Sequence, residues 1–142
     1  MPTAQDQTVL ITRVFDTPRE AVFEAWTDPE RVAEWFGPEG FETESVDIDL
    51  RVGGRYELVM VHGESRHPVR YEIVELDPPR LLVLTSGPMP EIGIHEPTFT
   101  RVELHDHGDK TRMTLSDGPY SEAAHAEAGW HGAFAKLAAM LA

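Results

Sequence analysis

The 142 residues include no cysteine, which removes disulfide frameworks, thiolate nucleophiles and cysteine metal sites at once. Basic residues are scarce as well: 12 Lys and Arg stand against 25 Asp and Glu, a formal charge of -13. That balance repels phosphate backbones and anionic lipid surfaces. The nearest thing to a basic patch, Arg66, His67 and Arg70, reads as a solvated strand end. Neither a nucleic acid nor a membrane is therefore expected as partner. No apolar run approaches the roughly eighteen residues of a membrane span. The opening MPTAQDQT also lacks a basic segment followed by an apolar stretch, so a cytoplasmic location is expected.

What remains is the composition of an ordinary folded chain, 41% hydrophobic and 26% charged, close to globular averages. The length suits one domain covering residues 1–142 and is enough to bury about two-thirds of the unfolded surface.

The end of the chain carries the clearest pattern. In EAAHAEAGWHGAFAKLAAML, Ala126, Trp130, Ala133, Phe134, Leu137 and Leu141 recur at spacings of three, four and seven. They make the apolar stripe of one long helix, flanked by Glu122, Glu127 and Lys136 and capped by Ser121. Gly129 inside that helix costs about 1 kcal/mol relative to alanine, which a close approach to the sheet, Trp26 or Trp35 would offset.

Before this helix the chain reads mostly as strands. Residues 8–16 are rich in β-branched side chains and stop at Thr17-Pro18. Thr17, Pro18 and Glu20 then spell a capping box for a helix that buries Val22, Phe23 and Trp26. Asp28-Pro29 opens a second short helix through Val32, Trp35 and Phe36, and Gly37-Pro38 ends it. From Phe41 to Leu50, Val46, Ile48 and Leu50 alternate with Ser45, Asp47 and Asp49, a strand with one wet face. Past the Gly53-Gly54 turn, Tyr56, Leu58, Met60 and His62 share a face. Further strands are expected over 69–76, 81–85, 98–106 and 110–116, the last two joined at His107-Gly108-Asp109. The loop 86–97 carries Met89, Ile92 and Ile94, which could cap a pocket or pair across a homodimer; monomer and homodimer both stay open.

One strand, two short helices, six strands and a long helix call for an α+β fold, an antiparallel sheet of six to seven strands with helices on one face. A twisted sheet of that width is wider than one helix about 10 Å across can fill. A cavity between sheet and C-terminal helix is the geometric expectation.

The stretches ITRVFDTPREAVFEAWTDPERVAEWFGPEGF, VGGRYELVM, ELDPPRLLVLT and EAGWHGAFAKLAAML resemble the SRPBCC or START-like superfamily. Within it the chain is most similar to the bacterial branch related to activators of the 90-kDa heat-shock protein ATPase. The likeness runs from about residue 8 to 142. It implies a helix-grip fold, a curved sheet wrapped around the last helix and enclosing a mostly apolar cavity. The superfamily includes lipid carriers, polyketide cyclases, hormone receptors and chaperone activators, so fold does not name function. Tyr71 stands where the resemblance leads one to expect a small residue, and an inward Tyr71 would narrow the cavity.

Catalytic and metal motifs are weak. His105 and His107 lie two apart, but Asp106-His107-Gly108-Asp109 reads as a turn and no third ligand is spaced to join them. No serine sits in a G-x-S-x-G elbow, the carboxylates fall on helix first turns and wet strand faces, and Gly53-Gly54 lacks the lysine of a phosphate loop. No catalytic residue, metal or cofactor is assigned, and a non-enzymatic role is favoured. Strand parity and the helix stripe nominate Trp35, Val46, Ile48, Tyr56, Leu58, Met60, Tyr71, Trp130 and Phe134 as ligand-binding residues. His62 joins them as a polar anchor or proton donor. His131 reads as a residue at the helix edge. The expected partner is a small apolar molecule. The alternatives are a chaperone-activator-like interaction module, and a cyclase-like enzyme that positions its substrate with His62 or Tyr56.

Overall fold

The computed structural model describes residues 7–88 and 95–142. Seven strands form one antiparallel sheet: β1 (Gln7–Phe15), β2 (Glu42–Ile48), β3 (Arg55–His62), β4 (Ser65–Asp77), β5 (Leu81–Ser86), β6 (Thr98–His107) and β7 (Lys110–Tyr120). Their order is β1-β7-β6-β5-β4-β3-β2, so β2 to β7 run as a meander and β1 pairs beside β7. Two short helices, α1 (Arg19–Thr27) and α2 (Pro29–Trp35), carry the chain from the β1 edge to the β2 edge. The long helix α3 (Ala124–Leu141) follows β7. This is the helix-grip α+β architecture.

Local chemistry accounts for the element ends with two exceptions. Asp28 caps α2 as expected: its Oδ1 accepts from the Glu30 N–H at 3.0 Å, and Pro29 occupies the first turn. For α1 the expected box fails, because the extended residue at the helix start is Pro18, with no side-chain cap. Thr17 lies one residue too early, and its carbonyl instead accepts from Thr111 Oγ1 at 2.7 Å, joining the β1–α1 corner to β7. For α3, Ser121 is not the cap. Strand β7 runs to Tyr120, four residues beyond the expected end, so the turn is used up before Ala124. The Ala123 N–H is satisfied by Gln7 Oε1 at 2.8 Å.

Three irregularities bend the sheet. In β2 an extra residue lies between Glu44 and Asp47 opposite β3, and Ser45 there takes φ 55. The bulge changes the strand's phase: Thr43 is buried before it, whereas Val46 and Ile48 turn half-inward after it. Leu50, expected on the inner face, lies beyond the strand and is 44% exposed. A bulge in β4 follows Ile73. The third, in β7, falls between Asp117 and Tyr120 and sends both residues inward, where strict alternation would put them on opposite faces.

No single helix covers the sheet. Helix α2 lies on β2, α1 reaches β6 and β7, and α3 packs on α2, α1 and β1. Between them sits an aromatic core in which the Trp26 and Trp35 rings meet edge-on at 4.7 Å, and Phe134 lies 6.2 Å from Trp26 and 6.3 Å from Trp35. Burying each such side chain contributes about 1.5 to 3 kcal/mol, and the polar handles of Trp35 and of the neighbouring Tyr56 are satisfied internally. Trp35 Nε1 donates to the Ala25 carbonyl at 2.8 Å, and Tyr56 Oη to that of Trp26 at 2.5 Å.

The helix glycines serve the loop after α2 and not the tryptophans. A Cβ on Gly132 would sit 2.8 Å from the Glu39 backbone nitrogen, and one on Gly129 3.4 Å from the Pro38 ring. Lys136, expected on the solvated flank, donates to the carbonyls of Pro38 and Phe41 at 3.3 and 3.2 Å. Desolvation lowers its pKa, opposed by the charge of Glu39. Met89, Ile92 and Ile94 lie outside the described residues.

Candidate functional site

A partly open cavity of about 220 Å³ lies between the N-terminal half of α3 and the sheet. The helix supplies Ala126, Gly129, Trp130 and Ala133, with His125 exposed on its first turn. Strands β3 and β4 supply Met60, Val69 and Tyr71, and the segment after α2 adds Phe36, Gly37 and Pro38. Most of this wall is apolar. Its polar end comes from β7, whose bulge brings in Asp117 and Tyr120 together.

Asp117 is the centre of that end. It is 2% exposed, and its carboxylate accepts from three donors: Thr100 Oγ1 to Oδ1 at 2.9 Å, Tyr120 Oη to Oδ2 at 2.7 Å, and Trp130 Nε1 to Oδ2 at 2.7 Å. Hydrogen bonds of this kind make burial of a carboxylate tolerable. Tyr71 stands beside Thr100 and Asp117, which extends the set of polar groups to β4. Burial pushes the phenols of Tyr71 and Tyr120 up from their usual pKa, and the nearby Asp117 charge adds to the shift. Both remain neutral hydroxyls at physiological pH.

The structure distributes the nominated residues unevenly. Met60, Tyr71 and Trp130 meet at the cavity. Trp35 and Phe134 lie wholly within the core, because Trp26 and Trp35 fill the space beneath the second half of α3. Tyr56 is also fully buried, and its hydroxyl is committed to Trp26. Val46 and Ile48 pack half-buried against the core. Leu58 borders a different hollow, about 230 Å³, beside the β2 bulge, lined by Ser45, Asp47, Glu57 and Arg70 among others. That hollow has no buried titratable group and as much polar as apolar wall, which leaves the α3 cavity as the candidate site.

His62 is a correction. It ends β3 exposed, its ring stacked on Phe41 at 4.9 Å, and does not reach the cavity. A cyclase-like use of His62 or Tyr56 therefore lacks geometry. His105 lies 4.0 Å from Glu103, His131 is exposed, and no group of three or more metal-ligating side chains forms among the described residues. Among the same residues no helix is long and apolar enough to cross a membrane.

The residues that sequence reasoning missed are Asp117 and Tyr120. The expected strand stopped at 116, yet Asp117 continues the phase of Thr111, Met113 and Leu115, all buried. A carboxylate in step with core residues was the available signal. Tyr120 had none, since only the bulge turns it inward.

Comparison with known proteins agrees with this architecture. Residues 16–142 match the family described as Activator of Hsp90 ATPase homolog 1-like protein. A crystal structure of a protein from Chromobacterium violaceum is 25% identical, with a TM-score of 0.85, covering 94% of this chain and 96% of that one. One from Silicibacter pomeroyi is 25% identical with a TM-score of 0.79, covering 95% and 97%. The fold is also shared by a protein from Nitrosomonas europaea, 23% identical, with a TM-score of 0.81 and coverage of 99% and 96%. A comparison with curated proteins gave no significant match.

Proposed function

The chain belongs to the Activator of Hsp90 ATPase homolog 1-like family, and from that premise we propose that it binds a small, largely apolar molecule in the cavity between α3 and strands β3, β4 and β7. The observation that supports this reading is the cavity itself, with Met60, Val69, Ala126, Trp130 and Ala133 as apolar wall and Asp117 at one end. Apolar surface left wet costs about 25 cal/mol per Å², and a ligand of matching shape recovers it. An apolar pocket with a few convergent polar groups is the usual form of a small-molecule site.

A thermal-shift or native mass-spectrometry screen tests the proposal. An apolar ligand should stabilise the fold, and Met60→Trp, which fills the wall from β3, should abolish the shift while the variant still melts cooperatively. A shift that survives Met60→Trp places the ligand elsewhere and sinks the reading.

The family's description supports a second reading, binding of an Hsp90-class chaperone, since the match spans residues 16–142. Pull-down with a bacterial chaperone of that class discriminates. Absence of binding on the order of tens of micromolar would reject it.

A further inference from the structure

We propose that the polar end of the cavity selects ligands carrying a hydrogen-bond donor, a hydroxyl or an ammonium, and rejects carboxylates of the same shape. This rests on the cavity being a small-molecule site and adds its specificity.

The inference follows from where each proton at that end points. Trp130 Nε1 can only donate, and it donates to Asp117 Oδ2. Tyr120 spends its proton on the same oxygen, and Thr100 spends its own on Oδ1. These three donors thus point into the wall. Acceptors remain on the residues that line this end: the phenolic oxygens of Tyr71 and Tyr120 and the second acceptor position of Asp117 Oδ1, which takes one bond where a carboxylate oxygen can take two.

Charge reinforces the pattern. Asp117 places a nearly inaccessible carboxylate here, and among the described residues no lysine or arginine lines the cavity; His125, on its wall, is exposed on the first turn of α3. Lys136, the nearest lysine on that helix, is held by the carbonyls of Pro38 and Phe41. The whole chain carries -13. An anionic head group would meet three acceptors and no counter-charge, at a desolvation cost it could not recover. A hydroxyl or ammonium meets three acceptors already in place. Size sets the rest: a cavity of about 150 Å³ holds benzene, so about 220 Å³ suits one ring with a short arm.

The test is a matched series built on one ring and a two-carbon arm: ethylbenzene, 2-phenylethanol, 2-phenylethylammonium and phenylacetate, titrated against the full chain by NMR. The alcohol and the ammonium should bind at least about tenfold tighter than phenylacetate, the size of one charge-assisted hydrogen bond. In Asp117→Asn the ammonium should lose that margin over phenylacetate. Should the Asn variant not fold, the order of the four ligands on the wild-type chain decides alone. Phenylacetate binding as tightly as the alcohol, with ethylbenzene also bound, overturns donor selection and leaves the cavity reading intact. No binding by any of the four, ethylbenzene included, overturns both.

Discussion

The indole Nε1 of Trp130 donates to Asp117 Oδ2 over 2.7 Å, and both residues are buried. One comes from the middle of α3 and the other from β7, so the bond joins helix to sheet at the polar end of the cavity. It also explains how a carboxylate sits in the core without a cation: Thr100 and Tyr120 supply two further donors.

Removing either partner should therefore destabilise the fold beyond its loss of packing. Trp130→Phe keeps a ring against Phe36 and Phe134, at 5.5 Å from each in the native core, but loses the donor. A loss of about 1 to 3 kcal/mol is expected by urea denaturation. Combined with Asp117→Asn, the double mutant should cost less than the sum of the singles, with a coupling of at least about 0.5 kcal/mol. Strict additivity would mean that the bond contributes nothing.

Gly129 and Gly132 should respond to alanine in opposite ways. In a helix interior the change gains about 1 kcal/mol from propensity. At Gly129 the new methyl meets only the Pro38 ring at 3.4 Å, so Gly129→Ala should be neutral or stabilising. At Gly132 it meets the Glu39 backbone nitrogen at 2.8 Å, and Gly132→Ala should lower the melting temperature. Equal melting temperatures would show that the loop after α2 yields to the helix.

All three tyrosines of the chain, Tyr56, Tyr71 and Tyr120, have pKa values raised above the usual 10.0, first by burial and then by neighbouring charge or phenol. The folded state keeps protons that the unfolded chain releases near pH 10. Their contribution to stability is thus complete below about pH 9 and is lost as pH rises through 10, by about 1.4 kcal/mol per pH unit for each tyrosine. Tyrosinate absorbance should appear together with loss of near-ultraviolet circular dichroism. Tyr120→Phe should make the alkaline slope shallower by one proton. Ionisation that precedes unfolding would contradict the burial of these hydroxyls.

Much of the fold could be read from spacing. The period of α3, the Asp28-Pro29 start of α2 and the strand run from 55 onward each follow from local rules of periodicity and capping, and the residues they bury are those named from sequence, from Trp130 to Leu137. Parity failed where the backbone changes phase. The bulge at Ser45 moved the inner face of β2, and Leu50 fell outside it. His62 kept the parity of Tyr56 and Leu58 but lies past the edge of the core, where a correct face no longer means burial.

The sequence by itself determined the α+β class, the single long helix, the acidic surface and the apolar residues available for a core, because each depends on composition or on neighbours within a few positions. Only the tertiary structure decided where the space between helix and sheet remains. Trp26 and Trp35, arriving from α1 and α2, close it beneath Phe134, while two glycines let the other half of α3 pass the loop after α2. The polar end of the cavity was likewise a tertiary outcome. Asp117 is acceptable in the core only because Thr100 and Trp130, 17 residues before it and 13 after it, supply donors there along with Tyr120, and no local pattern encodes that convergence.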